Sequence, residues 1–481
     1  MLRSLITFVA VILFAFVILL LWSGSKELEF KRVAMDGDRS TQAVIADYER
    51  KQREIAAAQM GNTETTEEPA PVQASSGDGP PVVVWISIPG FRGDYIEKSE
   101  TPFFDSLISD GGGTNKMRPT FPCMTYPAHV TKATGVPVST HGIVADEIRT
   151  GPGEVVANPM DASLLGAEPI WTTATRQGIK TLVHDWPFSQ GQTGENAAAI
   201  SLDSYDPEAS DEDRLNAALE AWKGSVTEGA EPAADGSDRL RLVMLRLNDI
   251  FKAGLVNGPR TDETYAAVAK TDTALKTFFD SVRSEWDKIA PPAANLIIFI
   301  TTDHGMAELD KNVNIAQLLG EEMMANADIV AHDAIANLYF KDLPESEGEQ
   351  TIFFEKFDGE LTKRIYFRTL KKDDLPENWS YSHERTGDRV LVLKTGYSFV
   401  DDTADEPVFD PADGPGYYGS YGYPVEESIR MSGQVLMAGY PNSPLSGDLD
   451  EISQLTFHAT VAKFLGIEPA EGATTETLPV D

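Results

Sequence analysis

Residues 82–90, VVVWISIPG, and residues 296–305, LIIFITTDHG, decide the architecture of this chain. Both are runs of β-branched and large apolar residues without the polar alternation of a half-exposed strand. Each stops at a turn, Pro89-Gly90 in the first and Asp303-His304-Gly305 in the second. A strand that is apolar on both faces is buried on both faces, as in a parallel sheet covered by helices. Polar residues just past such strands stand at the carboxyl edge of the sheet, where open α/β sheets carry their sites. Helical spacing recurs over 102–110, 212–223, 262–285 and 451–465. The expected class is therefore α/β, a mainly parallel sheet flanked by helices. The charged and irregular stretch 343–390 is expected as a small insertion beside that sheet.

The 481 residues, 42% of them apolar, can bury a large core. A net charge of -35, from 75 acidic against 40 basic residues, repels phosphate backbones and argues against a nucleic-acid partner. One cysteine, Cys123, permits neither an intrachain disulfide nor a thiolate zinc site. Residues 4–22, SLITFVAVILFAFVILLLW, carry no charge and would span about 28 Å as a helix. A transmembrane anchor within residues 1–25 is expected, with a cleaved signal peptide ending at Ser23-Gly24-Ser25 as the alternative. The membrane is thus the one partner the sequence names. Arg3 precedes the span and Lys26, Lys31 and Arg32 follow it, so charge bias alone does not favour export; a large acidic domain can still be translocated. Residues 26–80 read as a juxtamembrane stalk, helix-forming over 37–60, and a linker over 61–80 that lacks aromatics and cannot fold alone. The folded domain is expected over 81–470, with a tail at 471–481.

Residues 81–146 read PVVVWISIPGFRGDYIEKSETPFFDSLISDGGGTNKMRPTFPCMTYPAHVTKATGVPVSTHGIVAD. This stretch resembles the opening of the nucleotide pyrophosphatase/phosphodiesterase family of the alkaline phosphatase superfamily: a strand into a DGFR turn, a TPxLDxL helix, then PTFPSxTFPNHxTLVTGxxPxxHGIxxN. The resemblance resumes at Trp186-Pro187, AGLVNGP (253–259), TTDHGM (301–306), GSYGYP (419–424) and FLGIEP (464–469). It implies an alkaline-phosphatase-like fold and, in the family, a threonine nucleophile served by two zinc ions about 4 Å apart.

Carried over residue by residue, the resemblance leaves that centre incomplete. Thr125 stands at the nucleophile, and Asp303 and His304 at the Asp-His pair of one zinc. Pro89 replaces that zinc's remaining aspartate and offers no side-chain donor. For the other zinc, Phe251, Leu255 and Tyr421 stand where the family has an aspartate and two histidines, and Ala128 replaces an asparagine that supports the phosphoryl group. Asp249, two residues before Phe251, would share its face on a strand and supply one oxygen, leaving open a Mg²⁺ or Ca²⁺ site. The cofactor expectation is no metal, or at most one zinc. His129 and His141 read as structural, and Tyr417, Tyr418, Tyr421 and Tyr423 as lining or filling the old pocket.

Two functions follow. One is a pseudoenzyme, a binding or scaffolding module for an unknown protein partner, tethered outside the cytoplasmic membrane. The other is a metal-dependent phosphodiesterase or nucleotide pyrophosphatase working with a degenerate site. Bound metal and turnover discriminate between them.

Overall fold

The computed structural model describes residues 77–480 apart from 203–205, 228–231, 234 and 401–405. The expected anchor and all but the end of the expected stalk and linker lie outside the described residues. Among the described residues no helix is long and apolar enough to cross a membrane.

Strand β1 (Gly79–Ser87) leads through helix α1 (Pro102–Asp110) to β2 (Gly112–Arg118) and α2 (Thr125–Thr134). There follow β3 (Lys180–His184), β4 (Ile200–Leu202), α3 (Asp211–Gly224), β5 (Leu240–Arg246), α4 (Asp249–Asn257), α5 (Asp262–Ser284) and β6 (Ala294–Thr301). A smaller sheet comes next, built from β7 (Ala327–His332), β8 (Ile335–Phe340), β9 (Phe367–Lys371) and β10 (Arg389–Leu393), with α6 (Glu347–Leu361) between β8 and β9. The chain then returns to the main sheet as β11 (Gly433–Tyr440) and packs α7 (Thr456–Leu465) against it.

The main sheet runs β2-β11-β6-β1-β5-β3-β4. Strands β6, β1, β5, β3 and β4 are parallel, and β11 is antiparallel to both its neighbours. Its centre is β1, with Val83 opposite Leu242 on one side and Ile297 on the other. The uninterrupted apolar run now has its cause. Val82, Val84 and Ile86 enter the layer formed with Trp222 of α3 and Phe278 and Phe279 of α5, while Val83 and Trp85 enter the opposite layer with Trp186 and with Phe457 and Val461 of α7. Each such side chain contributes roughly 1.5–3 kcal/mol of burial. The Trp85 indole N–H donates to Thr301 Oγ1 at 2.9 Å, so the ring is buried without an orphaned donor.

Three boundaries differ from expectation. The insertion is not confined to 343–390: its antiparallel sheet spans Ala327 to Leu393, in the order β7-β8-β10-β9, because those strands enclose a core of their own. The segment after 470 is not a loose tail, since Leu478 and Val480 are buried against the main sheet and the Leu478 N–H donates to Thr460 Oγ1 at 2.9 Å. AGLVNGP belongs to helix α4, not to a strand. Residues two apart on a helix face different sides, and Asp249 turns away to pair with Lys270 of α5 at 3.3 Å. Its expected role as an oxygen ligand therefore falls.

Candidate active site

The carboxyl ends of β1 and β6 are tied together beneath the site. Thr302 Oγ1 donates to Ile88 O at 2.9 Å, and Asp303 Oδ1 accepts from Gly90 N at 3.0 Å and from His304 N at 2.6 Å. Pro89 is buried within this turn. Across from it, Thr125 is the first residue of α2, and its Oγ1 lies 3.5 Å from His304 Nε2. His304 Nδ1 is 2.6 Å from Gly305 O and so carries the ring proton, which leaves Nε2 an open lone pair facing Thr125. Asp303, His304 and Thr125 are all buried, and Asp303 Oδ2 has no hydrogen-bond partner.

These atoms test the fit of a metal. Asp303 Oδ2 lies 3.5 Å from His304 Nε2, as does Thr125 Oγ1. Both spacings match the edge of a zinc tetrahedron, about 3.3–3.5 Å for bonds near 2.0–2.2 Å. The spacings of Asp303 and of Thr125 from His304 thus each suit ligands of one zinc, and Pro89 supplies no fourth donor. The second zinc does not fit. In its place Tyr421 stacks on His304 with ring centroids 4.7 Å apart and planes 10° apart. Phe251 packs edge-on against both rings, at 5.4 Å from Tyr421 and 6.1 Å from His304. Leu255, one turn after Phe251 on α4, packs into the same cluster. Among the described residues, no group of three or more His, Cys, Asp and Glu side chains is arranged to hold a metal ion.

Around Tyr421 lies a polar network that the sequence reading did not assign. The Tyr421 hydroxyl donates to Asp146 Oδ2 at 3.2 Å and lies 3.1 Å from His332 Nε2. His332 also faces Asp333 Oδ2 at 3.4 Å and Glu147 Oε1 at 3.5 Å. Burial alone would lower the His332 pKa, but Glu147, Asp333 and Asp146 together outweigh it and push it up to about 9. Burial and the neighbouring Asp333 and Asp146 hold the Tyr421 phenol well above its ordinary range, so it stays protonated.

The remaining candidates settle as structural groups. His129 Nδ1 donates to Thr125 O at 2.7 Å, and burial keeps its ring neutral. His141 bonds Thr131 Oγ1 at 2.9 Å and accepts from Ile143 N at 3.1 Å. Burial raises the Cys123 thiol, which makes it a poor nucleophile. Tyr421 and Tyr423 fill the pocket, whereas Tyr417 and Tyr418 are exposed.

A family model described as type I phosphodiesterase / nucleotide pyrophosphatase matches residues 83–422. The chain belongs to that family, with the alkaline-phosphatase-like fold. It is 27% identical over 351 residues to a pyrophosphatase/phosphodiesterase of Schizosaccharomyces pombe, covering 70% of this chain and 68% of that protein. It is 25% identical over 339 residues to mouse ectonucleotide pyrophosphatase/phosphodiesterase family member 7, covering 65% and 69%. In fold it is similar to murine ectonucleotide pyrophosphatase/phosphodiesterase 5, whose structure in complex with AMP it matches with a TM-score of 0.65 at 21% identity, covering 81% of this chain and 96% of that one.

Proposed function

We propose that this chain is a pseudoenzyme of its family: an extracytoplasmic, membrane-tethered domain that binds or scaffolds and does not turn over phosphodiesters. The observation that carries the reading is the cluster in which Tyr421 stacks on His304 and Phe251 packs edge-on against both, at positions where the family resemblance expects ligands of the second zinc. Phosphoryl transfer concentrates negative charge in the transition state, and rings and an isobutyl group cannot offset it. The charge-free apolar run at residues 4–22, read as an anchor from sequence alone, and the relatives described as ectonucleotide enzymes favour this location.

A second reading is favoured by the orphaned Asp303 Oδ2: hydrolysis with one metal. Asp303, His304 and Thr125 would hold a zinc able to polarise a phosphoryl oxygen. In that reading the Thr125 oxygen would attack phosphorus and displace the ester oxygen, which would leave as the alcohol with the threonine proton, water then releasing the phosphoryl group from Thr125, and His304, fixed by its bond to Gly305, would keep the ligand geometry. The two are separated by measuring zinc in the purified full-length protein by elemental analysis and turnover of p-nitrophenyl thymidine monophosphate. The pseudoenzyme predicts less than one zinc per chain and turnover that Thr125→Ala leaves unchanged at background. Stoichiometric zinc together with turnover abolished by Thr125→Ala would establish the one-metal hydrolase instead.

A further inference from the structure

A lysine is buried beneath the retained half of the site. Lys132 is wholly enclosed in α2, on the face it shares with Thr125 and His129 at helical spacing. The aligned TLVTG stretch of the family carries leucine there. Its ammonium donates to Ser87 Oγ at 2.6 Å and to Thr302 O at 3.1 Å, and lies 5.2 Å from the centre of the Trp186 ring. Ser87 Oγ in turn lies 2.8 Å from His129 Nε2, and His129 Nδ1 lies 3.6 Å from the orphaned Asp303 Oδ2. The bonds run in one sense: Lys132 donates to Ser87, Ser87 to His129, and His129 to Thr125 O. Full burial of a lysine is costly unless an opposite charge answers it. Burial lowers the Lys132 pKa to about 7, with Asp303 opposing that fall and Arg246 adding to it.

The other half of the site carries the second such group. His332 borders Tyr421, and its neighbours on the loop after α2 and on the β7–β8 turn are Asp146, Glu147 and Asp333. Asp333 is itself held by Ser398 Oγ at 3.3 Å and Ser420 Oγ at 3.2 Å. Asp146 accepts from Tyr126 N at 2.7 Å. Three carboxylates thus converge on one imidazole where the aromatic infill meets the small sheet.

We propose that Lys132 and His332 are basic groups built into the two halves of the former metal centre, which when protonated supply inside the protein positive charge where the family resemblance places a zinc ion. The inference rests on the pseudoenzyme reading and deepens it, because the site then holds its carboxylates without metal. It also gives Lys132 a second consequence: its ammonium repels any divalent cation at Asp303.

The test uses the full-length protein in detergent, with thermal denaturation in excess EDTA and zinc affinity from competition with a chromogenic chelator. Lys132→Met keeps the side chain's length without its charge. It is expected to melt lower than wild type in EDTA and to bind zinc at least about tenfold more tightly, the effect of removing one nearby like charge from a protein interior. His332→Gln is expected to melt lower in EDTA with zinc affinity unchanged. A folded Lys132→Met with wild-type melting and wild-type zinc affinity overturns the lysine assignment, as does a misfolded one that added zinc does not rescue. Unchanged melting of His332→Gln overturns the other half. Failure of the pseudoenzyme reading shows separately, as zinc already bound to wild type and a melting temperature that EDTA lowers.

Discussion

Tyr421→Phe isolates one atom of the remodelled site. The ring stays and keeps its stack on His304, while the hydroxyl is lost from between Asp146 Oδ2 and His332 Nε2. His332 Nε2 stands 4.0 Å from Asp146 Oδ2, too far for a hydrogen bond to take the hydroxyl's place. A buried acceptor left bare costs about 1–3 kcal/mol, and bonds to charged groups lie in the upper part of that range. We expect a loss of about 2 kcal/mol. At about 2.1 cal/mol/K of unfolding entropy per residue, a domain of roughly 400 residues loses about 2–3 °C in melting temperature for that change. Differential scanning calorimetry in EDTA measures it, and urea denaturation checks it independently. Tyr421→His is the matched control: it places the family's ligand in a pocket where Phe251 and Leu255 still stand, so it should lose stability without gaining any from zinc. Tyr421→Phe as stable as wild type would show that the hydroxyl does not hold the network. Tyr421→His stabilised by zinc would show that the second metal position is still competent.

Other perturbations reach the rest of the argument. His332 has a folded pKa raised to about 9 from an ordinary value near 6.5, so its contribution is complete below about pH 6.5 and is lost as pH rises through about 9. With a side chain 32% exposed, on the order of 1–3 kcal/mol should disappear across that window and His332→Gln should flatten it; a wild-type curve that is flat there contradicts the network. Asp272 of α5 accepts the N–H groups of Phe103 at 3.1 Å and Phe104 at 2.8 Å at the start of α1. Asp272→Ala should therefore cost about 2–3 kcal/mol, with Asp272→Asn recovering about half, and equal losses in the two variants would refute capping as the cause. Phe251 and Leu255 are four residues apart on α4, the spacing at which two ligands share one helix face. The joint variant Pro89→Asp, Phe251→Asp, Leu255→His, Tyr421→His should take up zinc measurable by elemental analysis, whereas Pro89→Asp alone should not restore turnover; no uptake in the joint variant would mean that the backbone has left the family register.

Much of the fold was legible because its signals are local. The run 82–88 is apolar at every position but Ser87 since β1 has helices over both faces, and helix α5 announced itself over 262–285 by spacing alone. The small sheet was harder to place. Its strands are short, and the residues that bound it, from Ala327 to Leu393, declare themselves only through pairings made across the chain, such as Ala327 with Phe340 and Phe367 with Leu393. At the site, ligand loss could be counted from Pro89, Phe251, Leu255 and Tyr421. What filled the space could not, because His332 reaches Tyr421 from 89 positions away. A weaker signal was nevertheless present: Asp146 and Lys132 stand where the quoted family stretch carries asparagine and leucine, both departures toward charge in a buried segment.

Under the pseudoenzyme reading, the direction of those departures bears on how a catalytic centre can be lost while its fold persists. A two-metal site brings several carboxylates and imidazoles to one sheet edge, and without the metals the carboxylates would repel one another in a poorly solvated space. In this chain two of the four replaced positions would have been carboxylates, and they are now Pro89 and Phe251. The acid that remains, Asp303, is met by two backbone N–H groups, with Lys132 buried beneath it. At the positions where the family resemblance expects ligands of the second metal, Tyr421 stacks on His304 and Phe251 packs edge-on against it. The losses at Pro89 and Phe251 remove carboxylates, the added carboxylate of Asp146 is met by the Tyr421 hydroxyl and faces His332, and Asp303 Oδ2 stays without a hydrogen bond. Under the pseudoenzyme reading this is a fold retained for its surface, with an aromatic cluster at the ligand positions of the second metal.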